Sequence, residues 1–296
     1  MNVPVETFVR LPLALDEALA FAALHPVGHL DEAMRRRLIT ALTSDPAGTI
    51  VLGDAGGALR LVATVVDVID DRTAPAELVI LGARPGLPGA AFADGVLAPA
   101  RAFARAGGRR VLHTARPTFV TDVDEVLARD GFTFAYEIVA MRRAHAALAP
   151  AEPTLPSGWR WAALDDALVE PAHVALGEMF RGMPAMTLPP LPAFRSGAFS
   201  PPPGYQLLMD GEAVAGLVRL SASGDGGVVR VLGRVPAYRG RGLGRLLLDR
   251  GLRLLAAAGV RTVMLEVLAM NDRALALYRA FGFAVVEHTP TLAAAV

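Results

Sequence analysis

Residues 235–245 read Val-Pro-Ala-Tyr-Arg-Gly-Arg-Gly-Leu-Gly-Arg, and leucines follow at helical spacing. A chain that leaves a strand, turns through glycines and enters a helix exposes the unpaired N–H groups of the helix start. The aligned peptide dipoles make that end partly positive. Gly240, Gly242 and Gly244 let a phosphate approach the backbone with no Cβ in the way, and Arg239, Arg241 and Arg245 supply countercharge. The segment therefore suits a diphosphate. It is not a Walker A loop, because the sequence has no lysine and its 29 basic residues are all arginine. It is not the dinucleotide fingerprint G-x-G-x-x-G either, since the glycines fall at 240, 242 and 244. A tight turn with arginines for solubility is the plainer alternative.

A second group lies downstream: Leu265-Glu266-Val267, Asn271, Leu277-Tyr278 and Phe281-Gly282-Phe283. Alternation in a strand over 261–268 puts Glu266 on the face of Thr262 and Met264, opposite Val263, Leu265 and Val267. A carboxylate in mid-sheet is desolvated unless it lines a cleft, and desolvation raises its pKa toward the range of a general base. A surface glutamate on an edge strand, or one paired with an arginine, fits the same pattern. Tyr278 falls in the next helix, where its hydroxyl could protonate a leaving group or simply keep its tip in water. Asn271 suits a helix N-cap, with Asp272 in the first turn.

The elements that must position these residues are legible. Tyr205–Met209 and Ala213–Leu220 flank an Asp210-Gly211 turn as a hairpin, and Val228–Val235 is a valine-rich strand. A helix over 242–258 carries Leu243, Leu246, Leu247, Leu254 and Leu255 on one face and ends at Gly259. A strand over 261–268, a helix over 272–281 closed by Gly282, and a last strand from Phe283 complete an α/β (α+β) unit with a mixed sheet. The unit occurs twice. Shifted by 151 residues, 81–132 lies over 232–283 without a gap. Leu81-Gly82, Pro85, Gly89, Ala106, Gly108, Arg110 and Gly131-Phe132 then meet identical residues. Residues 144–158, with three prolines, read as a linker between domains at 1–143 and 159–296.

Composition narrows the classes. At 53% hydrophobic and 20% charged the chain is a folded one, and its zero formal charge gives no nucleic-acid or anionic-membrane footprint. With no cysteine, disulfides, thiolate catalysis and cysteine-ligated zinc are excluded, and no metal site is expected. The start carries Glu6 without a long apolar core, and no apolar run approaches the roughly 20 residues of a membrane helix. A cytoplasmic location is expected.

The pairing of Arg239-x-x-Gly242-x-Gly244 with Asn271, Leu277-Tyr278 and Gly282-Phe283 resembles the GNAT superfamily of N-acetyltransferases. The likeness covers 205–290 by motif and 155–204 by element order. It implies two GNAT-like domains in tandem, each a mixed, mostly antiparallel sheet flanked by helices, with acetyl-CoA as co-substrate and an amine as acceptor. The 239–245 amides would hold the coenzyme diphosphate. The pantetheine arm would run between the splayed strands ending at Val235 and containing Glu266, bonded by backbone at Gly233 and Val235 with Arg234 between them. Asn271 would touch the arm and Tyr278 would protonate the thiolate. Leu265-Glu266-Val267 is especially similar to the enzymes that acetylate ribosomal-protein alanine termini, where the matching glutamate is the base.

One departure stands out: many relatives place the base on the preceding strand, and Val228–Val235 offers only Arg230 and Arg234. Either Glu266 or an ordered water does that work, or the amine arrives deprotonated. The first copy lacks the chemical residues. Pro88, Ala91, Ala93, Ala115, Val120 and Leu127 stand where Arg239, Gly242, Gly244, Glu266, Asn271 and Tyr278 would be. The first domain is thus expected to be degenerate, and the chain a monomer with an internal pseudo-dimer, or a homodimer. The proline-rich stretch 181–204 has the length of a binding loop, with Phe180, Met183, Met186, Phe194 and Arg195 as acceptor contacts. A small-molecule amine and a peptide N terminus both remain open as acceptors. A non-catalytic acyl-CoA-binding regulatory module is the alternative function.

Overall fold

A computed structural model describes residues 8–10, 15–25, 48–66, 74–144, 153–184, 188–198 and 203–296. In chain order the elements of the first repeat are β1 (Phe8–Arg10), α1 (Leu15–Leu24), β2 (Thr49–Asp54), β3 (Leu59–Val66) and β4 (Ala76–Ala83). Helix α2 follows as Gly89–Phe92, a π-helical stretch Ala93–Leu97 and Ala98–Ala106, then β5 (Val111–Ala115), α3 (Val123–Arg129) and β6 (Thr133–Ala144). The second repeat supplies β7 (Trp159–Ala163), α4 (Val169–Met179), α5 (Leu191–Ala198), β8 (Tyr205–Asp210), β9 (Ala213–Ser223) and β10 (Gly226–Arg234). After a 3₁₀ turn at Pro236–Tyr238 come α6 (Leu243–Ala257), β11 (Thr262–Leu268), α7 (Asp272–Ala280) and β12 (Ala284–Ala295).

These elements form two compact units, Met1–Ala135 with Pro290–Val296, and Tyr136–Thr289. That differs from the contiguous domains expected at 1–143 and 159–296. The reason is strand pairing. From Ile138 to Ala144, β6 pairs antiparallel with β11 and belongs to the second unit, whereas Thr291–Ala295 of β12 pair antiparallel with β5 of the first. A strand at a sheet edge needs a partner, and alternation of side chains does not say which unit provides it. Of the expected linker, 145–152 lies outside the described residues.

Each unit has a mixed, mostly antiparallel sheet. The first runs β1-β2-β3-β4-β5 and the end of β12, with only β4 and β5 parallel. The second runs β6-β11-β10-β9-β8-β7, with only β10 and β11 parallel. In β11, Val263, Leu265 and Val267 are buried while Glu266 is exposed, the alternation expected of a strand covered on one face. Helix α6 answers it with Leu248, Leu252 and Leu255, all inside; each such side chain contributes about 2 kcal/mol of transfer free energy. Gly259, at φ +80°, turns the chain out of α6 in a left-handed conformation that a Cβ would strain. The opposite face of the second sheet is covered by α4 and α5 through Val169, Leu176 and Phe194. Among the described residues no helix is long and apolar enough to cross a membrane.

Candidate active site

The site begins where two parallel strands part. β10 and β11 pair from Gly226↔Thr262 to Val229↔Leu265 and no further. Beyond that point β10 pairs only with β9, through Arg234↔Gly216, and β11 only with β6, through Leu268↔Ile138. A bulge at Arg230 marks the parting: Val229 lies opposite Leu220 and Val231 opposite Arg219, so Arg230 is the extra residue. A bulge bends its strand and flips the side-chain alternation after it. Accordingly Val229 packs toward α6, and Val231 and Val235 pack toward α4.

The bulge also corrects which backbone groups face the opening. Val235 N donates to Ala215 O at 3.0 Å. In an antiparallel ladder hydrogen-bonded positions recur every second residue, so Val231, Gly233 and Val235 spend their amides on β9. The groups turned toward β11 are those of Leu232 and Arg234, not of Gly233 and Val235 as expected. Gly233 matters sterically instead: a Cβ there would lie 2.9 Å from Met179 Sδ and 3.2 Å from the Phe180 ring. By the same rule Ala269 N, donating to Glu137 O, leaves the backbone of Glu266 and Leu268 facing the fork.

At the end of the β10 limb sits the glycine-rich loop. Arg239 N donates to Pro236 O and Arg245 N to Gly242 O, so these two amides are used internally. Among the described residues the amides of 240–244 between them have no backbone acceptor, and a Cβ on Gly240 or Gly242 would meet open space. Gly240 at φ +80° and Gly242 at φ +72° hold the turn that exposes them. Arg241 stacks on Tyr238 at 5.2 Å and Arg245 on Phe281 at 5.1 Å. Burial, and then the neighbouring charges of Arg239 and Arg273, push the Arg234 guanidinium below the usual arginine range. Like charges this close to one another are suited to an anion that would neutralise them. Sequence reasoning missed Arg273; its place in the first turn of a helix capped by Asn271 was the available signal.

Tyr278 lies across the fork from this loop's helix, in α7. Its ring is 6% exposed and packs against Phe283. Burial raises its phenol to about 12. Its hydroxyl makes no hydrogen bond among the described residues and is not among their buried unpartnered atoms, so the tip keeps contact with solvent while the ring is buried. Glu266 follows the plainer of the two readings: it is exposed rather than desolvated, and it interacts electrostatically with Arg230. Asn271 is the N-cap of α7, its Oδ1 accepting from Ala274 N at 3.2 Å.

The first unit has the same fork and closes it. Its last parallel pair, Leu78↔Thr114, matches Val229↔Leu265 under the 151-residue shift. Then Leu87 and Val120 form a parallel bridge across the limbs, with Leu87 N donating to Phe119 O and Thr121 N to Leu87 O. Leu87, Phe119 and Val120 are all buried there. Their counterparts Tyr238, Met270 and Asn271 make no such bridge.

Of the acceptor residues, Phe180 reaches the fork beside Gly233. Met183 is half-buried just beyond it. Phe194 is corrected: it is core, between His173 and Tyr205, because the expected loop contains α5. Arg195 is at the surface with Asp166, 3.5 Å away, and Met186 lies outside the described residues. Among the described residues no cluster suits a metal ion.

Residues 175–283 match the family model described as Acetyltransferase (GNAT) family. The mycothiol acetyltransferase of Streptomyces avermitilis is 33% identical over 248 residues, 80% of this chain and 77% of that protein. The mycothiol acetyltransferase of Streptomyces scabiei is 34% identical over 163 residues, and the chain spans about half of its length, 53%. Among solved structures, a GCN5-related N-acetyltransferase from Sphaerobacter thermophilus superposes with a TM-score of 0.73 at 15% identity, covering 97% of this chain and 95% of that one. A tandem GNAT protein from the clavulanic acid biosynthesis pathway gives 0.67 at 18% identity, with 98% of each chain covered. Those two likenesses establish the tandem fold.

Proposed function

The chain belongs to the GNAT family of acetyltransferases, and we propose that it moves the acetyl group of acetyl-CoA to the primary amine of a small, mycothiol-related acceptor within its second unit. The observation that carries this is the open fork of the second unit against the sealed fork of the first. The free amides of 240–244 take the diphosphate, and Arg234, Arg239 and Arg273 neutralise it. The coenzyme arm lies along the backbone of Leu232 and Arg234 as an added strand. All of these groups lie in one unit, so the chemistry needs no second copy.

Acetyl-CoA supplies the activated carbonyl. Glu266 accepts a proton from the acceptor ammonium and passes it to solvent; the freed amine bonds to the thioester carbon, the C–S bond breaks, and the nitrogen releases its second proton through Glu266 to solvent to leave the neutral amide. The departing sulfur receives its proton from the Tyr278 hydroxyl, which is refilled from solvent. A phenol held near 12 stays protonated at every working pH, so the donor is always charged with its proton. It is a poor acid toward a free thiolate. Its hydrogen bond therefore strengthens as negative charge grows on sulfur, the condition for transition-state stabilisation.

Thiol release from acetyl-CoA is the test, run with S-methyl-L-cysteinamide, glucosamine and an alanine-leading peptide. Release with the cysteinyl or sugar amine, and none with the peptide, is expected. Release with the peptide alone would overturn the small-molecule assignment.

A further inference from the structure

We infer that Arg230 is the positioning residue for Glu266: at the bulge where β10 leaves β11, its guanidinium is anchored on Ser221 and holds the carboxylate at the mouth of the fork. The inference rests on the reading of Glu266 as base.

The bulge is the first support. An extra residue at a parting of strands re-aims one side chain, and here that side chain is Arg230. Its Nε donates to Ser221 Oγ at 3.0 Å, which fixes the plane of the guanidinium. Val228 pairs with both Ser221 and Met264, so Ser221 stands on the face of β11 that carries Glu266. Arg230 is half-buried, and the charge it answers is that of Glu266. A desolvated guanidinium is costly without a specific partner. The other charges of that face are accounted for. Arg142 stands on β6 opposite Met264 and is exposed. Arg219, on β9, lies over the Tyr205 ring at 5.1 Å. Helix α4 packs on β9 and β10 and ends with the exposed Glu178. Across β6, β9, β10 and β11 the only other acid is Glu137, on the opposite face beside His288.

The internal repeat is a second, independent support. At the same parting of strands the first unit has Val79 for Arg230 and Ala115 for Glu266. Val79 sits in regular register opposite Thr64, and the extra residue of β4 is Leu81, two places later. Arginine and glutamate are absent together from the unit whose fork is sealed, and its bulge falls two residues later, at Leu81.

The experiment compares Arg230→Met, Arg230→Lys, Glu266→Gln and the Met/Gln double variant. Thiol release with S-methyl-L-cysteinamide and the carboxyl ¹³C titration of Glu266 are read, with acetyl-CoA affinity as the check on folding. Arg230→Met should lower kcat at least tenfold at unchanged coenzyme affinity and move the Glu266 midpoint up by about one pH unit or more. Arg230→Lys should recover part of both, and the double variant should be no slower than Glu266→Gln. A midpoint unmoved by Arg230→Met overturns the inference and leaves the base reading intact. Glu266→Gln at wild-type rate, on any amine of the panel, overturns the base reading and the inference with it.

Discussion

Replacing Tyr278 with phenylalanine removes the one oxygen proposed to protonate the leaving sulfur. The ring is in the core, against Phe283, and phenylalanine keeps that packing. The hydroxyl bonds to nothing described, so its loss should cost less than about 0.5 kcal/mol of stability. Its loss should nonetheless cost about 10²–10³ in kcat, the usual effect of deleting one donor aimed at developing charge. Acetyl-CoA affinity should stay within about threefold, since the donor acts on the sulfur only as it leaves. Stability gives a second readout, with its own sign. Burial favours the neutral phenol and lifts it from 10.0 to about 12, so the stabilising contribution is complete below pH 10 and lost as pH rises to 12. Two pH units at about 1.4 kcal/mol each put that loss on the order of 3 kcal/mol. Denaturant melts of the two proteins should coincide at pH 8, and the wild type should weaken more steeply than the variant above pH 10, where Tyr238 titrates in both. Single-turnover thiol release between pH 6 and 9 should show a uniform rate deficit. An unchanged rate, or a wild-type alkaline limb near pH 9 that vanishes in the variant, would refute the assignment of the acid.

Other perturbations separate the parts. Gly242→Val should raise the coenzyme Kd at least a hundredfold by calorimetry, because its Cβ branches enter the open space before the free amides, while the left-handed φ costs about 1–2 kcal/mol of stability. Gly233→Ala should destabilise by about 1–3 kcal/mol and raise the acceptor KM, since its Cβ displaces Met179 and Phe180, as thermal melts and steady-state kinetics would show. Asp249→Ala breaks the Asp249–Arg253 pair, 2.6 Å apart and largely inside α6; a loss of about 3–5 kcal/mol in denaturant melts with unchanged coenzyme affinity is expected.

The loop at 239–245 and the helices after it are legible in sequence because they depend on neighbours: glycine spacing, leucine periodicity, an Asn271 cap. What depends on distant pairing is not. The exchange of β6 and the end of β12 between units leaves every local pattern intact, so contiguous domains look right until the ladders are seen. The bulge at Arg230 leaves no residue signature, yet it decides that Leu232 and Arg234, rather than Gly233 and Val235, face the fork. Glu266 was placed on the correct face, but alternation cannot say whether a face is covered; here it is open and Arg230 stands beside it. Phe194 looked like a loop contact because prolines hid α5, whose first turn tolerates Pro192.

A calorimetric titration of the whole chain with acetyl-CoA reaches the central claim directly. One coenzyme per chain is expected, retained when Leu87→Ala loosens the bridge of the first unit and abolished by Gly242→Val in the second. Two equivalents per chain, or binding that survives Gly242→Val and disappears with Leu87→Ala, would contradict the assignment of the open fork as the coenzyme site.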